Sequence, residues 1–294
     1  MTSVSYSIDN GDNWVTTQVD NTSQTITTPS IAQGGKVLFK GEGSALAKDG
    51  AVSSNCSKFS STGNFNVCGN IMSMLYGDNF ASQTAFPNGS SYNFRCLFGS
   101  ANKLISAENL VLSATTLTFE CYGEMFYGCT ALTSVPTLPA TNLISACYQG
   151  MFRNCSSLTT VPSNYLPATT MTYRCYQQMF LHCTSLTTAP ELPATTLNAE
   201  CYRAMFADCT SLTTAPELPA TTLTISCYEL MFSQCTSLNY IKMLATDISA
   251  SRCLTNWVSN VAASGIFVKD ANTTIPTGDS GIPSGWTVLS EINV

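Results

Sequence analysis

Fourteen cysteines and a single histidine are the residues of widest chemical reach in this 294-residue chain. Thiolates attack carbon or sulfur, bind soft metals, or pair as disulfides, and imidazole is the usual general base near neutral pH. A Cys–His or Ser–His–Asp site would have to recruit His182, which lies between Leu181 and Cys183. Its equivalents in a repeated unit are Gly128, Asn154, Asp208 and Gln234, so the position reads as an outward slot and not as a base. Glu191 and Glu217 are also equivalent residues, and stacking would set them about 5 Å apart, the separation of a retaining glycosidase pair. They come from a duplicated unit with no asymmetry to split their roles, which reads as a solvated acidic strip. No glycine-rich phosphate loop and no metal-binding His motif is present. The expectation is a protein that is not an enzyme, with no cofactor, no catalytic residue and no metal site.

The cysteines carry a second message in their spacing. One ladder holds Cys121, Cys147, Cys175, Cys201, Cys227 and Cys253, and another holds Cys129, Cys155, Cys183, Cys209 and Cys235. On a helix, partners eight residues apart would sit about 12 Å from each other, too far for a disulfide. There is no Cys-x-x-Cys pair of the zinc-ribbon kind. Free buried thiols behaving as small apolar side chains are expected.

These ladders exist because a unit repeats. Cys-Tyr-x-x-Met-Phe-x-x-Cys begins at Cys121, Cys147, Cys175, Cys201 and Cys227, in steps of 26, 28, 26 and 26 residues. The long step carries Pro162 to Pro167 where a neighbour has Pro190 to Pro193. Asn93 to Phe98 aligns upstream, and Cys253 with Trp257-Val258 continues the series downstream, as degenerate capping units should. Leu223, Cys227, Met231 and Cys235, with Tyr228 and Phe232 beside them, form an apolar stripe that predicts a short helix. Leu212 to Ala215 predicts a short strand, stopped by Pro216, and the Thr residues after Pro219 are candidate N-caps. Periods of this length with recurring Leu predict an α/β solenoid of leucine-rich repeats of about 26 residues over 63–294, each a short strand plus a short helix.

Residues 1–62 predict a small β-rich N-terminal domain, with strands at 4–8, 24–27 and 36–39. Ser7-x-Asp9-x-Gly11-x-x-Trp14 is similar to an Asp-box hairpin, in which the Asp ties the turn and the Trp packs beneath it. One copy cannot build a propeller, so the box is expected to be structural.

The repeats resemble the BspA-like leucine-rich-repeat family of bacterial surface proteins, abundant in gut Bacteroides and related organisms and their phages. The resemblance rests on the Cys-Tyr-x-x-Met-Phe-x-x-Cys-Thr-Ser-Leu-Thr units, the lead-in Gly69 to Asp78 and the tail Trp286-Thr287-Val288, and covers roughly residue 60 to the end. It implies adhesion or partner binding with no common ligand and no catalytic motif. The chain departs from it in having no signal peptide at its start.

Charge narrows the partners. A formal net charge of −6, from 12 Lys+Arg against 18 Asp+Glu, provides no basic stripe for a nucleic-acid backbone. No window reaches the roughly 20 apolar residues of a membrane span. The expected function is a non-enzymatic recognition or adhesion module on a bacterial cell surface, binding a protein or a glycan. An alternative is a phage virion decoration or receptor-binding protein, which the missing signal favours, and a third is a glycan-active enzyme. Location is accordingly extracellular, at the cell surface or on a virion. The N-terminal domain is expected to contact other surface or virion proteins. Comparing the five copies, variation concentrates in two x-x pairs per unit. Tyr127, Arg153, Asn154, Leu181, His182, Asp208 and Gln234 form the candidate recognition surface, whereas the uniform Thr/Pro/Glu strand face binds something repetitive or nothing.

Overall fold

The computed structural model describes residues 2–19, 25–43 and 56–291. Strand β1 (Thr2–Ser7) pairs antiparallel with β2 (Val15–Val19) and with β3 (Leu38–Glu42), giving a three-stranded sheet in the order β2-β1-β3. The expected strand at 24–27 is not formed over 25–27, and Gln24 lies outside the described residues. Val15–Val19 pairs with β1 instead, because the Asp9 hairpin turns the chain straight back. The Asp9 carboxylate accepts hydrogen bonds from the Ser7 hydroxyl (2.6 Å), the Asn13 amide N–H (3.0 Å) and the Asn13 side chain (2.7 Å). Those bonds hold its pKa down at about 2, which marks a turn built around the ionised carboxylate.

Next come β4 (Phe65–Asn70), the short helix α1 (Ser73–Tyr76) and β5 (Leu104–Val111), with β4 and β5 parallel. At the far end β6 (Tyr240–Met243), β7 (Ile266–Asp270) and β8 (Thr287–Glu291) make a parallel sheet. Between these sheets the copies stack as parallel rungs joined by single bridges, such as Ser106 to Ser134, Thr170 to Thr196 and Thr214 to Tyr240. Proline explains the difference. Pro136, Pro162, Pro190 and Pro216 occupy one slot in successive rungs and lack the N–H a ladder needs, whereas Glu108 in β5 and Lys242 in β6 stand in that slot and permit real strands. Threonine helps to join the rungs on this side. Thr133 and Thr187 each donate both amide and hydroxyl to one carbonyl of the preceding rung, at 2.9 and 3.0 Å and at 2.9 and 3.2 Å.

The short helix expected in each repeat is not what the chain forms. Among the described residues the one α-helix is α1, so Thr221 and Thr222 have no helix to cap. From Thr118 to Cys129 the backbone runs through overlapping turns. Cys121, Gly123, Met125, Tyr127 and Cys129 each donate to the carbonyl three residues back, at 3.0–3.3 Å. The intervening amides of Tyr122, Glu124, Phe126 and Gly128 point to the next rung and meet Cys147, Gln149, Met151 and Arg153 carbonyls at 2.8–3.0 Å. Every second amide thus closes a turn and every other one binds rungs together, which leaves no buried peptide group idle. On this turn wall the donor always lies on the earlier rung and the acceptor on the later one.

Every fourth residue of the wall takes a positive φ: Glu120, Glu124 and Gly128 in one rung, Arg174, Gln178 and His182 in another. These residues are third in their turns, the position at which a positive φ defines a type II geometry. Gly128 and Gly150 meet the requirement at no steric cost. The other side chains are strained there by about 1–2 kcal/mol each. Gln178→Gly is therefore expected to stabilise the fold by about 0.5–1 kcal/mol, read as a rise in urea midpoint, whereas glycine inside an α-helix would cost about that much. A lowered midpoint would count against the turn geometry.

The core is a set of columns. Tyr122, Tyr148, Tyr176, Tyr202 and Tyr228 stack ring on ring at centroid spacings of 5.7–6.1 Å. Phe98, Phe126, Phe152, Phe180, Phe206 and Phe232 do so at 5.4–5.8 Å. Trp257 closes both columns at the C-terminal end, and Phe59, itself against Phe39, covers Phe98 at the other. Two sulfur columns run beside them. The thiols of Cys129, Cys155, Cys183, Cys209 and Cys235 donate to the carbonyls of Phe98, Phe126, Phe152, Phe180 and Phe206 at 3.0–3.2 Å. A small apolar group with one weak donor is what this slot requires. Burial raises these thiols, with Cys129, Cys183 and Cys235 pushed up to about 12. The ladder cysteines Cys121, Cys147, Cys175, Cys201 and Cys227 are likewise buried and free.

Candidate functional site

The turn wall presents its outward residues in rows, because the inward ones are committed to the columns. Two of every four residues face the core (Cys121-Tyr122, Met125-Phe126) and two face away from it (Gly123-Glu124, Tyr127-Gly128). The row nearest the second cysteine ladder holds every residue of the candidate recognition surface. Across successive rungs its first members are Tyr127, Arg153, Leu181, Ala207 and Ser233, and its second members are Gly128, Asn154, His182, Asp208 and Gln234.

Neighbouring rungs bring several of these side chains into contact. The Arg153 guanidinium lies 5.3 Å from the centre of the Tyr127 ring. His182 Nδ1 lies 3.4 Å from Asp208 Oδ2, on side chains that are both substantially exposed. Leu181 is the exception. It is 8 % exposed and packs with Ala204, Ala207 and Leu230 in a small apolar cluster of its own, so its side chain is spent on rung-to-rung packing. Asn154, His182, Asp208 and Gln234 all adopt positive φ, between 60° and 64°. Their variation is therefore filtered by backbone geometry, since Asn, Asp, His and Gly are the residues most at home in that region. Gln234 is partly exposed at the end of the row.

A second row, missed in the sequence, consists of ion pairs. Arg95 contacts Glu120 at 3.1 Å and Glu124 at 3.2 Å. Arg174 meets Glu200 through both Nε and a terminal nitrogen at 3.1 Å, and Gln177 adds a 2.9 Å hydrogen bond to the same carboxylate. Glu229, nearly buried, takes Arg203 at 3.3 Å and Arg252 on its other side. Burial opposes ionisation of Glu200 and Glu229, but hydrogen bonds and the arginine charges outweigh it and hold both below the usual carboxylate value. The signal was available: all five arginines of the chain fall on this wall, and four have a glutamate about one repeat away.

Arg153 is the fifth. It makes no ion pair among the described residues, and its Nε is buried without a hydrogen-bond partner. Beside this wall the exposed apolar side chains Phe119, Ile144, Tyr173 and Ile225 follow the rungs, with the Arg174 guanidinium 4.6 Å over the Tyr173 ring.

The remaining surfaces offer less. On the bridge side a shallow 220 Å³ depression is lined by Thr187, Thr188, Ala189, Thr213, Thr214, Ala215 and Pro216. Glu191 and Glu217 are exposed there, and Glu217 turns to Lys242 at 3.5 Å. A 450 Å³ open hollow on the N-terminal sheet is lined by Tyr6, Val15, Thr17 and Thr25 to Thr27. No helix of the described residues is long and apolar enough to cross a membrane. The chain matches no known family model, no curated protein and no solved structure.

Proposed function

We propose that the chain is a leucine-rich-repeat solenoid serving as a recognition or adhesion module, displayed on a bacterial cell surface, whose turn wall binds a protein or glycan partner through an acidic group at Arg153. The observation that carries the reading is the contrast among the five arginines. Four have carboxylate partners, and the fifth has an orphaned Nε and a neighbouring aromatic ring. A guanidinium fork matches a carboxylate with two parallel hydrogen bonds, and Tyr and Arg are the residues that dominate binding hot spots. A wall whose peptide groups are saturated between rungs also holds such side chains at fixed intervals, which reduces the ordering cost of binding. The Asp208 and His182 pair extends the same row by two rungs.

The test uses the whole chain on an array of acidic and neutral glycans and on immobilised bacterial surface proteins. Arg153→Ala and Tyr127→Ala are each expected to weaken capture about thirtyfold, corresponding to about 2 kcal/mol at a hot spot. Arg153→Lys should recover only part, because an ammonium lacks the fork. Binding untouched by alanine at Arg153, Tyr127 and His182 would remove the reading.

A further inference from the structure

The rung stack is covered at both ends on its turn wall and open at both ends on its strand side. At the C-terminal end the Gly281 and Asp279 carbonyls lie over the wall and accept the Trp257 indole and the Val258 amide, at 2.8 and 3.2 Å. At the N-terminal end Phe59, backed by Phe39, covers Phe98. The strand side has no such cover among the described residues. Strand β8 pairs only with β7, and all five of its residues are exposed, Val288 at 43 % and Leu289 at 48 %. The Thr287 amide donates to the Gly265 carbonyl at 2.9 Å and the Glu291 carbonyl accepts from Ala271 at 2.7 Å, so Thr287, Leu289 and Glu291 turn their peptide groups to β7. Alternation along the strand leaves the N–H and C=O of Val288 and Ser290 on the outer edge. At the other end β4 pairs only with β5, and its Asn66, Cys68 and Gly69 are exposed. A side chain at Gly69 would meet nothing within 4 Å.

We propose that these two edges fit each other, so that β8 of one copy pairs with β4 of a second copy and the chain assembles end-on into an open filament. Strand direction selects this partner. The β4–β5 pair, the rung-joining bridges and the β6–β7–β8 sheet are all parallel, so a second copy shifted along the stack presents β4 to β8 in the same sense. Near Asn66 strand β4 slips in register against β5, and its regular run, Cys68 to Asn70, is the part that continues the sheet. Strand β8 carries none of the devices that block an edge: it has no Pro, no Lys and no register shift. Charge matches as well. From 271 to 291 the acids are Asp279, which is exposed, and Glu291, shared with Lys242 at 2.9 Å, and no Lys or Arg falls in that span. From 56 to 77 the one charged residue is Lys58, which is exposed, and Asp78 beyond it is occupied by Lys40 at 2.7 Å. Two different patches meet in such a contact, so each added copy offers a fresh edge to the next.

The experiment follows the weight-average mass of the full chain by sedimentation as its concentration is raised. The mass should climb past that of two chains, whereas Val288→Pro should hold it at one. That substitution removes an outward N–H and leaves every β7–β8 bond in place. Val288→Lys, at an exposed position that a long charged side chain can occupy, is the companion in case the proline disturbs folding, and it should also keep the chain single. Contact between unlike ends is read by cross-linking. A chain carrying Ser290→Cys, treated with a short bismaleimide, should give a ladder of oligomers. Peptide mapping should join Cys68 of one copy, an exposed thiol, to the introduced thiol of another. A chain that stays single at every concentration, association that survives both Val288 substitutions, or cross-links that join only two introduced thiols would each overturn the proposal.

Discussion

Trp257→Ala is expected to cost about 3–5 kcal/mol, the range for removing a buried aromatic side chain. The indole is fully buried and terminates both ring columns, 6.3 Å from Tyr228 and 6.1 Å from Phe232, with Phe267 edge-on behind it at 6.1 Å. Its N–H donates to the Gly281 carbonyl at 2.8 Å, so truncation strips that acceptor as well as opening a cavity. The damage should stay local at first. Stacked units depend chiefly on their nearest neighbours, so an end that loses its cover frays before the middle does. In hydrogen exchange, amides from Ser226 to Asn260 should lose protection while those from Cys121 to Cys183 keep it, and the denaturant slope should fall. Equal loss across all rungs would show instead that the stack melts as one unit.

Phe180→Ala should lose a similar free energy, about 3–5 kcal/mol, but with a different signature. Its ring sits mid-column, 5.7 Å from Phe152 and 5.6 Å from Phe206, and each stacking contact is worth about 0.5–1.5 kcal/mol beyond burial. Its amide also donates to the Met205 carbonyl at 2.9 Å, and that bond survives the substitution. No free end lies nearby to unravel. The urea midpoint should drop with the slope unchanged, and Phe180→Leu should recover roughly half of the loss by refilling the space. A substitution that leaves the midpoint in place would mean that the column spacing reflects no packing gain.

Much of this architecture was legible in the residue pattern. The repeat, its 28-residue step, the degenerate ends and the burial of both cysteine ladders all follow from spacing. What misled was the conformation of the apolar stripe. Cys-Tyr-x-x-Met-Phe-x-x-Cys has two residues in and two out, with a period of four. An α-helix turns about 400° in four residues, so its stripe drifts by about 40° each time, and over nine residues that drift is tolerable. The pattern alone therefore fits a helix or a chain of turns. The discriminating signal lay in the residues at the drift-free slot: Gly128, Gly150, Asn154, Asp208, Asn256 and Asn260 are common where φ is positive and poor in helix interiors. At the candidate site, Tyr127, Arg153, His182 and Asp208 were legible as variable positions. That Leu181 clusters with Ala204 and Ala207, with Leu230 packed against the group, was not, since Ala204 and Leu230 come from the other variable pair on later rungs.

The one-way hydrogen bonding of the turn wall has an electrical consequence. In an ordinary parallel sheet the peptide dipoles alternate along the strand and nearly cancel. On the turn wall the rung-joining amides all point from earlier rung to later, so their dipoles of about 3.5 D add along the stack as they do along a helix. The last rung therefore ends in a row of partly positive amides. Asn256 and Val258 spend theirs on the Ser280 hydroxyl and the Asp279 carbonyl, and the Asp279 carboxylate is held close by Ser259 at 2.8 Å. The first rung ends in partly negative carbonyls, of which that of Leu97 accepts the Phe59 amide at 2.8 Å. The stack is polarised, and its two ends repel their own kind: copies placed head to head or tail to tail meet like charge, and only head-to-tail contact brings opposite poles together.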